Sequence, residues 1–128
     1  MIGRYQLEAA IQSAHVSRRR HGQPNWPAVV KLYDALLELT GSPVAAINRA
    51  IAVAEIEGPG AALAILNAVS GDARLIEYQP YWAARADLLA RTGAFPEARD
   101  AYEIAIGLER DSSLRNYLER RRAGLAPG

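Results

Sequence analysis

The sequence predicts an all-α fold, a solenoid of three helix hairpins closed by a C-terminal helix, and three observations carry that prediction. Apolar residues recur with helical spacing along nearly the whole chain, and strand-like alternation is missing. Glycine and proline fall between the periodic segments as breakers. A pattern of small residues returns every 36 positions, the mark of stacked repeats.

The elements follow in order. A first helix is expected from about Tyr5 to Arg20, with Leu7, Ala10, Ile11 and Ala14 on one stripe and a basic end in RRRHG. Asn25 caps a second helix, with Pro27 in its first turn, that runs through AVVKLYDALLEL and stops at Gly41. Ser42 and Pro43 open a third, VAAINRAIAVAEIE, which stops at Gly58. Pro59 lies in the first turn of a fourth, GAALAILNAVS, ended by Gly71. After a polar connection, YWAARADLLART forms a fifth helix up to Gly93 and PEARDAYEIAIGL a sixth. Asp111 or Ser112 caps a seventh that ends near Arg122.

Residues 9 to 14 read AAIQSA, 45 to 50 read AAINRA and 81 to 86 read YWAARA, each 36 positions after the last. Ala62, Leu66 and Val69 likewise lie 36 before Ala98, Tyr102 and Ala105, and WPAVVKLY (26 to 33) parallels FPEARDAY (95 to 102) at a different offset. The single domain, 1–128, thus divides into repeats at about 5–40, 43–70 and 79–108, with a capping helix at 111–123. Small residues at Ala14, Ala50 and Ala86 let a partner helix approach closely, and Ala62 and Ala98 return the fit. Trp82, Leu89, Phe95 and Tyr102 then fill the remaining gaps as core. Full burial of Trp82 predicts a loss of about 3 to 5 kcal/mol on truncation to alanine.

Composition bounds the function classes. Half of the 128 residues are hydrophobic, 23% are charged and the net charge is +1, although 14 of the 15 basic residues are arginine. A nucleic-acid-coating or membrane-surface protein is therefore not expected. The absence of cysteine removes disulfides, thiolate zinc sites and cysteine nucleophiles, and fits a cytoplasmic protein. Apolar runs such as AALAIL are far below the roughly 18 residues of a membrane span.

The third unit resembles a tetratricopeptide (TPR) repeat, whose signature W-x2-L-G-x2-Y followed by A-x3-F is represented by Trp82, Arg85, Ala86, Leu89, Ala98 and Tyr102. Arginine stands where that pattern has leucine, alanine where it has glycine, and the period is 36 rather than 34. A second resemblance covers nearly the whole chain. The succession GRYQLEAAIQSAH, LYDALLEL, SPVAAINRAIAVAEIEGP, YQPYWAARADLLARTG, EARDAYEIAI and YLERRRAGL is similar to the C-terminal TPR-like extension of bacterial extracytoplasmic-function (ECF-type) RNA polymerase sigma factors. That resemblance implies a longer parent protein that binds promoter DNA. No segment of the chain resembles the polymerase-binding or promoter-binding sigma domains, so direct DNA binding by this region is not expected.

Catalytic signals are weak. His15 and His21 lie six apart without a carboxylate at ligand spacing, so neither a metal site nor a cofactor is expected. Ser13 and His15 point to different sides of their helix, and Glu55, Glu57, Asp87 and Glu97 form no convergent pair. The chain is read as non-catalytic. The basic clusters Arg18 to Arg20 and Arg120 to Arg122 each sit near a helix C-terminus, where cations are stabilised by the helix dipole, and the predicted distance between them argues against a joint phosphate-binding stripe.

Partner binding is expected on the face lined by the first helix of each pair. Helical phase, with the TPR-like groove positions, selects Glu8, Gln12, His15 and Arg19, then Ile47, Asn48, Ile51 and Glu55, then Ala83, Asp87 and Arg91. Asn48 matches a position where TPR modules place an asparagine on a peptide backbone or carboxylate; a hydrogen bond between helix pairs is the alternative. Arg49 and Arg85 occupy equivalent places beside the small alanine and are expected to form structural ion pairs, with Asp34 and Asp87 as partners, because an unpaired buried guanidinium is costly.

The reading is a non-catalytic interaction and regulatory module of an ECF-type sigma factor, contacting sigma domains of the same protein, RNA polymerase or a regulator, and no membrane. A free-standing TPR-like peptide-binding adaptor unrelated to transcription is the alternative.

Overall fold

The computed structural model describes residues 25–125. Within them the chain forms six α-helices: α1 (Trp26–Thr40), α2 (Pro43–Glu57), α3 (Pro59–Val69), α4 (Gln79–Arg91), α5 (Phe95–Leu108) and α6 (Ser112–Ala123). No strand occurs among the described residues. The expected helix over residues 5 to 20, together with Ala14, His15, His21 and the Arg18 to Arg20 cluster, lies outside them.

Local chemistry sets the boundaries. Asn25 Oδ1 accepts the Ala28 N–H at 3.2 Å, and Pro27 occupies the first turn of α1, where its missing N–H costs nothing. Gly41 ends the helix in the left-handed conformation (φ 63°), donating its N–H to the Leu37 carbonyl at 2.7 Å. Ser42 Oγ then accepts from Val44 N–H at 3.2 Å to start α2. Gly58 (φ 93°) closes α2 through a 3.1 Å bond to the Ala54 carbonyl and hands the chain to Pro59, so one residue ends one helix and opens the next. Asp111 Oδ1 caps α6 by accepting from Leu114 N–H at 3.0 Å.

Consecutive helices pack pairwise from α1 to α6, and α2 also touches α4. Contact between alternate helices is what stacking of hairpins requires, because first helices of successive pairs become neighbours. The small residues sit where the repeat placed them: Ala50, Ala62, Ala86 and Ala98 are all 0% exposed. Around them the core forms two clusters. Ile47, Leu66, Leu75, Tyr81 and Leu88 surround Ala50 and Ala62, whereas Ala101, Tyr102, Ala105 and Leu118 surround Ala86.

Trp82 differs from expectation. It is half-buried and packs against both clusters, with Tyr81 edge-on to it at a ring-centroid distance of 5.0 Å. Its indole N–H donates to the Ile76 carbonyl at 2.9 Å. Leu89 and Phe95 are half-buried too, so among the four expected gap-fillers only Tyr102 is fully enclosed.

The connection between α3 and α4 is a packed element rather than a polar loop. Residues Ala73–Leu75 form a 3-10 turn that drives Leu75 into the core at 2% exposure. Asp72 caps it, accepting the Arg74 N–H at 2.9 Å and two guanidinium bonds at 3.0 and 2.7 Å. Those bonds hold the Asp72 carboxyl below its ordinary value of 3.8.

Candidate functional site

Stacking leaves a strip of α2 and α4 at the surface. On α2, Ile51 is 42% exposed, Glu55 is exposed and Asn48 is half-buried, at spacings that keep the three on one side of the helix. On α4 the continuation is Ala83 and Asp87, both half-buried, and exposed Arg91. The strip changes character along the stack, because the positions 36 residues after Ile51 and Glu55 are Asp87 and Arg91. Apolar surface with one carboxylate gives way to an ion pair.

Ile47 does not belong to this strip. At 2% exposure it lies in the buried cluster that also holds Tyr81 and Leu88 of α4, because the following hairpin covers that side of α2. Glu8, Gln12, His15 and Arg19 lie outside the described residues. Asn48 makes no side-chain hydrogen bond with any described residue.

The two arginines beside the small alanines are both engaged, in different ways. Arg49 Nε bonds Asp34, as expected. Arg85 does not reach Asp87; its Nη1 donates to Asn67 Oδ1 at 2.8 Å. Asp34, Asn67 and Glu103 fall at the same place in the second helix of each unit once the offset between WPAVVKLY and FPEARDAY is applied. Each arginine therefore staples its own unit to an oxygen acceptor on the unit before. The repeat phase carries the acceptor position; acidic charge is not required there, since an amide oxygen also accepts a guanidinium N–H.

Asp87 is taken by the C-terminal helix instead. Arg121 Nη2 lies 3.1 Å from its Oδ1, and Arg91, one turn along α4, lies 3.8 Å from Oδ2. The Arg120 to Arg122 cluster is thus more than a favourable charge at a helix end: α6 folds back so that Arg120 and Arg121 stand beside Arg91. Together with Ala90, Phe95 and Leu125 they border an open cleft of about 300 Å³. Burial pushes the Tyr102 phenol above its ordinary value of 10.0, and the neighbouring Arg121 guanidinium works against that rise.

Comparison with known proteins finds a similar sequence within a longer chain. An uncharacterized protein of Rhizobium meliloti (strain 1021) is 40% identical over 116 residues, which are 91% of this chain. The chain spans only 27% of that relative's length. No family model and no solved structure matches. No helix among the described residues is long and apolar enough to cross a membrane.

Proposed function

We propose that the chain is a non-catalytic interaction and regulatory module of an ECF-type RNA polymerase sigma factor. The parent protein directs polymerase to promoters, and this region tunes that activity by contacting the sigma domains, the polymerase or a regulator. One observation supports an interaction role above the rest: stacking buries Ala50, Ala62, Ala86 and Ala98 with the two core clusters, while the strip Asn48, Ile51, Glu55, Asp87, Arg91 stays at the surface with mixed chemistry. The sigma-factor assignment draws on the succession of motifs described above. The relative supports a modular reading, since the matching segment there is a minor part of a longer chain.

Transcription assays with the full-length protein and core polymerase, with and without this region, test the assignment. Removal should change promoter activation several-fold while the remaining domains stay folded, and unchanged transcription overturns it. Asn48→Ala provides a finer probe, expected to weaken binding to the sigma domains or the polymerase while leaving the melting temperature in place. A large drop in melting temperature would assign Asn48 to the fold.

A further inference from the structure

We propose that the cleft where the end of α4, the start of α5 and the end of α6 meet is a docking site for an acidic peptide segment that carries apolar side chains beside its carboxylates. Three arginines, Arg91, Arg120 and Arg121, line the cleft, and Arg91 and Arg121 share the single carboxylate of Asp87. Arg120 is exposed and has no ion-pair partner among the described residues. Among the side chains that line the cleft, positive charge is therefore in excess. The last carbonyls of α6 accept from the chain that follows, Arg120 O from Gly124 N–H at 3.0 Å and Arg122 O from Leu125 N–H at 3.2 Å, and the negative end of the helix dipole there offsets part of that charge.

The remaining wall is apolar, formed by Ala90 and half-buried Phe95 and Leu125. Exposed ion pairs alone hold a ligand weakly. An apolar anchor on Phe95 and Leu125, with carboxylates forked by the planar guanidiniums, supplies both affinity and register. Nucleic acid fits less well: the arginines are confined to one small cleft instead of tracking a phosphate backbone, and the whole chain carries a net charge of only +1. The proposal rests on the reading of the chain as an interaction module and adds the chemistry of the partner, independently of any role in transcription.

Fluorescence anisotropy with the 128-residue chain and a fluorescein-labelled dodecapeptide of repeating Glu-Asp-Leu tests it. The Arg91→Gln, Arg120→Gln double variant should bind at least about tenfold more weakly, as removal of two charge-assisted contacts requires. Arg110→Gln, outside the cleft, should bind as the parent does. Peptides of repeating Gln-Asn-Leu or Glu-Asp-Ser should each lose affinity, the first through charge and the second through the apolar wall. Absence of binding by the Glu-Asp-Leu peptide, full affinity in the double variant, or tighter binding of a dodecamer of thymidylate than of the peptide each overturns the proposal. The transcription assay is read separately, so failure here removes the cleft and leaves the modular role standing.

Discussion

Ala50 shows how a single side chain controls this molecule. With no exposed surface, it marks a place where two helix backbones approach and nothing larger fits. Ala50→Leu should cost about 1 to 3 kcal/mol through overpacking, read as a lowered denaturant midpoint, and an unchanged midpoint would mean that the helices pack loosely there. Trp82 presents the opposite case, a large ring that bridges two clusters without being enclosed. Truncation to alanine is expected to cost about 2 to 4 kcal/mol, at or below the range for a fully buried tryptophan. Trp82→Phe keeps most of the packing and loses the bond to Ile76, for about 1 kcal/mol. Equal losses in the two variants would refute the bridging role.

At the scale of the element, boundaries are chemical and helix positions are tertiary. The cap at Asp111 satisfies an N–H of α6, a helix with a single fully buried residue, Leu118, to hold it in place. Asp111→Ala should lower stability by about 1 kcal/mol, and hydrogen exchange should quicken in α6 before it does in α2. Protection lost uniformly across both helices would show that α6 does not open on its own. Caps and breakers made α1 through α6 legible because each depends on residues two to four apart. The 3-10 turn was not legible, since the short polar-looking stretch after Gly71 reveals its purpose only when Leu75 meets the buried cluster and Trp82 clasps Ile76. Ile47 was misplaced for a related reason: helical phase tells which residues share a side, but the following hairpin decides how much of that side remains open.

For the whole molecule, buried Tyr102 and half-buried Tyr33 couple stability to alkaline pH. Burial raises Tyr33 and Tyr102 above 10.0, so the unfolded chain releases these protons before the folded one does. Stability from this source is complete below about pH 10 and falls as pH climbs through the folded-state values. Denaturant midpoints measured from pH 8 to pH 11 should decline at the upper end, and Tyr102→Phe should flatten part of that decline; an identical decline in the variant would place the effect elsewhere. Assembly also decides the electrostatics of the strip, because α6 delivers Arg121 to an aspartate 34 residues away and leaves Arg85 to an amide.

The sequence by itself determined the helical class, the breaks between helices, the 36-residue stacking rhythm and the alanines that permit close packing, because all of these arise from short-range chemistry repeated in phase. Tertiary structure alone decided that Asp87 pairs with Arg121 and Arg91 rather than with Arg85, which side of α2 stays open, and that Arg91 shares a cleft with Arg120 and Arg121. Those outcomes depend on how the following hairpin covers α2 and on where α6 comes to rest against α4 and α5. No local spacing encodes that placement; it follows from which apolar surfaces remain to be covered once the hairpins have stacked.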